Sequence, residues 1–376
     1  MIRFLNKKGY VFIALILLIG LMFSACSSNE IVNDIEEDKR TAESKENEIS
    51  NDNSSVTKGS YHGKEGKITV YISGPEQMLE KLENEFEADR GDVVDFLHMG
   101  CGPLRQKVYT EKEAGQIQAD IVWGSDPLMY TDLADEGCLK KYNPKGYEAM
   151  KAQYQAGDGY YTLANERYGV IIYNENNVKE PPKSFGDLKN EDWDSNIIMT
   201  DATQSSTALA LNAALYQMSG NNFDYLIALF DNHMFLTKKN GEVSSKIAEG
   251  EFDTGIAPHD GVLRLKKKAK KEGYKTPIDI VWPEEGALAI QRPIAIIKNE
   301  ARPEENDKIA KEFVDFILSK KAQKITTQFG FVSVRDDVEI PSGIPQNLKI
   351  LPVNWEFTSK HEKEIRDEFR NLTQKK

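Results

Sequence analysis

Between residues 67 and 174 the chain alternates short β-branched runs with stretches whose apolar residues recur at helical spacing. KITVYI at 67–72 predicts a strand, Ser73-Gly74-Pro75 breaks it, and Met78, Leu79, Leu82 and Phe86 then mark one face of a helix. Residues 93–97 predict the next strand, followed by Gly100-Cys101-Gly102-Pro103 and a helix over 104–113. ADIVW at 119–123 is a third strand; Gly124-Ser125-Asp126 turns the chain into a short helix over 127–136, and YGVIIYN at 168–174 is a fourth strand. Strands alternating with helices predict a parallel, doubly wound α/β sheet, whose ligands sit outside the carboxyl ends of the strands.

Pro181-Pro182 and the polar run at 190–195 mark a change of region. A strand at 196–199 then enters TDATQSST, residues 200–207, ahead of a strong helix at 208–218. An N-cap needs one hydroxyl, and seven polar residues in eight exceed that need. The surplus points to ligand contact, because free N–H groups and hydroxyls at a helix start suit an anion. A second hydroxyl pair, Ser244-Ser245, precedes a short helix, and a strand at 254–257 leads to a turn at Pro258-His259-Asp260-Gly261. RLKKKAKKEG reads as a solvated helix. Strands at 278–282 and 287–297 flank Pro283-Glu284-Glu285-Gly286, and amphipathic helices at 311–318 and 323–329 close the body.

The chain of 376 residues carries 48 basic and 60 acidic side chains, a net charge of −12. That balance lacks the basic footprint of a nucleic-acid binder, and no nucleic-acid partner is expected. Residues 11–23, VFIALILLIGLMF, follow Arg3, Lys7 and Lys8 and hold no charge. Such a run is short for a membrane span and fits the apolar core of a secretory signal. Ser24-Ala25-Cys26 closes it and resembles a bacterial lipobox, which implies a leader over 1–25, a lipid on Cys26 and anchoring to the outer side of the cytoplasmic membrane. An uncleaved anchor would leave the folded part on the same side. Residues 26–66, acidic and rich in Asn and Ser, form a tether too polar to build a core. An exported location permits a disulfide between Cys101 and Cys138, and the residues alone do not decide whether the two meet. No CxxC or HExxH occurs, so no metal site is expected; no GxSxG, SxxK with partners or P-loop marks an enzyme, and no cofactor is expected.

The segments ITVYISGPEQ, QADIVWGSDP, YGVIIYN, TDATQSSTALA, IAEGEFDTGIA, IVWPEEGALAI and AKEFVDFILSKKAQKITTQFGFVSVRDDV, in this order, resemble the family 1 extracellular solute-binding lipoproteins of bacterial ABC importers. The likeness is to the branch that includes ferric-ion, phosphonate and phosphate-ester binders. It implies a two-lobe periplasmic-binding-protein-like (type II) fold with the ligand in the cleft. The first lobe would take residues 67–174 and about 287–376, the second 175–286, with some closing helices shared. The implied partners are a small solute, an ABC permease and its ATPase, and the protein would act as a monomer. Cleft positions would be Ser73, Gly74, Cys101, Gly102, Ser125, Asp126, Thr203, Ser205, Ser206, Thr207, Ser244, Ser245, His259, Asp260 and Glu284. Ferric binders of this branch use neighbouring tyrosines of the second lobe, whereas the stretch after Gly255 is IAPHDG, and the pair Tyr160-Tyr161 lies before the crossover strand. A phosphonate or phosphate ester fits the hydroxyl-rich helix starts better, and an amine on it would meet His259, Asp260 or Glu284. A ferric-ion receptor and a polyamine receptor are the alternatives. In the latter Asp126, Asp260 and Glu284 would make the contacts, with Trp123 or Trp282 as an aromatic face.

Overall fold

The computed structural model describes residues 61–154 and 158–374. The leader at 1–25, Cys26 and the tether as far as residue 60 lie outside the described residues. The last tether residues already dock on the body: the Tyr61 hydroxyl donates to Asp120 Oδ2 at 3.0 Å, and Gly66 N donates to Asn306 Oδ1 at 2.8 Å.

The first part of the sheet is built from β1 (Ile68–Ile72), β2 (Val94–His98) and β3 (Ile121–Trp123), all parallel. Helices α1 (Glu76–Glu87), α2 (Cys101–Glu113) and α3 (Pro127–Asp135) connect and follow them. Met78, Leu79, Leu82 and Phe86 are the buried face of α1, as their spacing predicts. Two later helices, α8 (Glu304–Ile317) and α9 (Lys320–Thr327), return to this core, where Phe313 meets Phe86 edge to face at 5.2 Å.

A second parallel set holds β5 (Ile197–Thr200), β6 (Phe235–Thr237) and β7 (Thr254–Pro258). Around it lie α4 (Ser206–Met218), α5 (Asp224–Asp231), α6 (Asn240–Glu249) and α7 (His259–Glu272). Residues Ser206 to Tyr216 of α4 are all buried, so this helix runs through the core, with Ser206, Thr207 and Asn212 as its buried polar positions. Helix α7 begins at His259, two residues after the end of the expected strand, so Pro258-His259-Asp260-Gly261 is a helix start and not a turn.

The two sets are joined by long antiparallel crossovers, β4 (Thr162–Asn174) and β9 (Ala287–Ile296), with the short β8 (Ile278–Val281), β10 (Val332–Ser333) and β11 (Ile350–Leu351) beside them. The strand order is β2-β1-β3-β9-β4-β7-β5-β6. The expectation of one parallel sheet is thereby corrected, because β9 is antiparallel to β3, and β4 is antiparallel to both β9 and β7. A last helix, α10 (Trp355–Gln374), was not foreseen. Its Ile365, Phe369 and Leu372 are buried in the core of α4 and α5, while Ser359 donates to Asp132 of α3 at 2.8 Å. No helix among the described residues is long and apolar enough to cross a membrane.

Candidate functional site

Between these two parts of the sheet lies a cavity of about 1010 Å³. The starts of α2, α4 and α6 all face it, through Gly100 to Pro103, Ser205 to Thr207, and Lys239 to Gly241. Helix starts carry unpaired N–H groups and the positive end of the helix dipole. Side chains cap them sparingly: Ser205 Oγ accepts from Ala208 N at 3.3 Å, but Gly100 and Lys239 make no side-chain cap. The walls come close enough that Gly102 is required, since a Cβ there would stand 2.3 Å from the Gln204 carbonyl oxygen. Ser206 Oγ donates to the Cys101 carbonyl at 3.2 Å, and Thr207 Oγ1 donates to Cys101 Sγ at 3.3 Å. Cys101 and Cys138 are both free thiols.

Seven arginine and lysine side chains line the cavity, and none of its described lining residues is Asp or Glu. Arg292 is the most buried of them, at 1% exposure. It donates to Asn165 Oδ1 at 2.9 Å, Ser125 Oγ at 2.9 Å and the Ser73 carbonyl at 2.7 Å, all neutral acceptors. Its plane lies 4.5 Å from the Phe331 ring centre. Burial, with the like charge of Arg167, pushes its pKa down to about 10, so it stays cationic at neutral pH.

The four other arginines of the lining are held by carboxylates behind the wall. Asp260 is fully buried and accepts from Arg167 Nε at 2.9 Å, from Arg167 Nη2 at 2.5 Å, and from Arg264. Burial works to raise the Asp260 pKa, but the two guanidinium groups outweigh it and hold the carboxyl well below its usual range. On the opposite wall Arg105 donates from Nη1 to both oxygens of Asp126 at 3.0 Å, and from Nη2 to Glu362 of α10 at 2.6 and 2.8 Å. Arg366 of α10 also lines the cavity and donates to Glu362 Oε1 at 2.7 Å.

Of the residues singled out in the sequence, Ser73, Gly74, Cys101, Gly102, Thr203, Ser205, Ser206 and Thr207 line this cavity. Ser125 and Asp126 stand one layer behind, orienting Arg292 and Arg105. Asp260 lies behind Arg167 and Arg264 and does not itself line the cavity. His259 is fully buried under the site: Nδ1 accepts from Tyr168 N at 2.9 Å and Nε2 faces the Gly330 carbonyl at 2.8 Å. Three positions fall elsewhere. Ser244 is buried against α7, where a Cβ on Gly261 would lie 2.7 Å from its Oγ; Ser245 lines a separate shallow depression; Glu284 is exposed, with its backbone N on the Lys183 carbonyl. Neither Trp123 nor Trp282 lines the cavity, so the groups expected to receive a polyamine are not assembled there. Tyr160 and Tyr161 pack in the core beside β3 and α3.

The cationic lining was missed in the sequence. One signal was available: Arg292 is the single charge in the otherwise apolar and neutral run ALAIQRPIAI, and a charge in a buried strand demands a purpose.

Burial in the neighbouring crossover β4 raises the pKa of Glu166 from an ordinary 4.5 to about 7, against a hydrogen bond from Tyr154 and the charge of Lys151. Between those values the folded chain holds a proton that the unfolded chain has lost, so this group's contribution falls as pH rises through the window. Glu166→Gln is therefore expected to gain stability relative to the parent between pH 5 and 8, by an amount on the order of 3 kcal/mol, in denaturant titrations at several pH values.

A cavity between two parallel strand sets, closed over by helix starts and joined by crossovers, defines the two-lobe α/β binding fold. The model for bacterial extracellular solute-binding proteins matches residues 117–361, and the chain belongs to that family. Its members are the solute-binding components of ABC importers, which work outside the cytoplasm with a permease and an ATPase. Among solved structures, the chain is similar to the periplasmic binding protein AfuA of Actinobacillus pleuropneumoniae with fructose-6-phosphate bound, at a TM-score of 0.70 and 22% identity over 82% of this chain and 99% of that one. It is also similar to iron-bound HitA of Pseudomonas aeruginosa, at 0.70 and 20% over 81% and 99%, and to the ferric binding protein of Campylobacter jejuni, at 0.68 and 21% over 81% and 99%. At these identities the neighbours define the fold, and the solute has to be argued from the cavity.

Proposed function

We propose that the protein is a lipid-anchored, monomeric receptor that captures a phosphate ester or phosphonate for its ABC permease and does no chemistry on it. The observation that carries this reading is Arg292, a buried guanidinium whose hydrogen bonds all end on neutral atoms. A buried charge without a counter-charge is costly, and an anion in the cavity supplies one. Three helix starts and the Ser73 hydroxyl, which only accepts from Cys101 Sγ, supply further donors around it. The leader pattern and Cys26 support the tether. A ferric ion would find one phenol in this lining, Tyr109, whose hydroxyl already donates to Asp132 at 2.6 Å and whose pKa burial pushes above its usual value.

The test is thermal unfolding of residues 61–376 against phosphate esters, phosphonates, their dephosphorylated parents, and ferric ion with carbonate. At 100 times its dissociation constant a phosphorus ligand is expected to add about 2.7 kcal/mol, with no shift from the parents. A shift with ferric ion alone would sink the reading.

A further inference from the structure

Resting on that reading, we infer that the solute carries two anionic groups, one at each end, and no ammonium. The cavity's positive charge is not evenly balanced. Asp260 is shared by Arg167 and Arg264 and so offsets one of those two charges, while Asp126 and Glu362 offset Arg105 and Arg366. At two places no carboxylate bonds to the cationic side chain. One is Arg292, bonded only to neutral groups. The other is Lys238-Lys239, exposed side chains at the start of α6 that form no ion pair among the described residues, the nearby Glu242 carboxylate accepting instead from the Lys238 backbone N at 3.3 Å.

These two centres stand at opposite ends of the cavity. Arg292 is on β9 and Lys238-Lys239 follow β6, and the order β9-β4-β7-β5-β6 puts four strand spacings between them. That is about 19 Å along the backbone of the sheet, shortened by the long lysine side chains at one end only, since Arg292 is held toward Ser73 and Ser125 on the far side of β9. A single phosphate cannot touch both. The volume of about 1010 Å³ lies at the upper limit for small-molecule sites and leaves room for a carbon chain between the two charges. Between them the lining offers neutral amides, Gln106, Gln204 and Asn240. No described carboxylate faces the cavity to receive an ammonium, so the cation of an amine-bearing phosphonate would find no counter-charge there.

Calorimetry with alkane α,ω-bisphosphonates of two to six carbons, alkylphosphonates of the same lengths, and inorganic phosphate tests this. The best bisphosphonate is expected to bind at least about tenfold more tightly than its monophosphonate partner, and an ω-amino alkylphosphonate more weakly than either. Lys238→Gln with Lys239→Gln should erase the bisphosphonate advantage and leave the monophosphonate within about twofold. Equal binding of mono- and bisphosphonates, or an equal loss for both in the lysine variant, would overturn the two-ended ligand while leaving the phosphorus receptor standing. Failure of every phosphorus probe, inorganic phosphate included, would overturn both.

Discussion

Replacing Arg292 by glutamine is expected to weaken binding of the best phosphorus ligand by about a hundredfold, a loss of about 2.7 kcal/mol. The guanidinium is buried and no carboxylate bonds to it; Asp260, whose charge favours the cation, is already bonded by Arg167 and Arg264, so most of the attraction of Arg292 for an anion is not spent on the protein itself. Glutamine removes the charge but keeps a donor near Ser73 and Ser125, which limits the damage to the wall. Arg292→Lys separates charge from shape: it keeps the cation and loses the planar fork, and should fall between parent and glutamine variant. Calorimetry gives the affinities, and near-ultraviolet circular dichroism of the unliganded variants checks that packing around Trp123 and Phe331 survives. Parent-like affinity in a folded Arg292→Gln protein would remove the anion reading of the cavity.

Asp260→Asn is expected to act in the opposite sense on binding and to cost more in folding. Asp260 is fully buried and bonded by both Arg167 and Arg264, so its neutralisation leaves two guanidinium groups facing each other without a counter-charge. Breaking a buried pair in this way costs about 3 to 5 kcal/mol. The same change removes a negative charge beside the cavity, so a phosphorus ligand should bind the variant more tightly and restore part of the lost stability. Denaturant titration with and without the ligand reads both effects. The pH dependence follows from the depressed Asp260 pKa. The carboxylate's contribution is complete above its ordinary 3.8 and is lost only as pH falls through the lower folded value, so the asparagine variant should lack that acid-side loss.

The elements that build the site were legible because each is a local pattern. TDATQSSTALA announces α4 and its hydroxyls, and the break at Gly100-Cys101-Gly102-Pro103 announces the start of α2, although not the close approach that Gly102 makes with Gln204. Strand direction was less so, since β4 and β9 pair across more than a hundred residues and nothing in either run states its polarity. The cations were missed for a different reason. Net charge averages over the surface and pointed away from an anion site, while Arg105, Arg264 and Lys238 are ordinary in sequence and meet only through the fold. Arg264 was further hidden as the first residue of a charge run that is otherwise mostly solvated. His259 and Asp260 were read as cleft contacts and became foundations instead, because the helix starts there and turns both inward.

The contact of Gly102 with the Gln204 carbonyl has an evolutionary reading as well. Side chains along a binding cleft can be exchanged one at a time, and each exchange retunes which groups a receptor prefers. Main-chain atoms offer no such freedom, and there is no smaller residue than glycine to yield further room. Exchanging cleft side chains is therefore expected to change which groups are preferred while the minimum gap set by Gly102 and the Gln204 carbonyl stays the same.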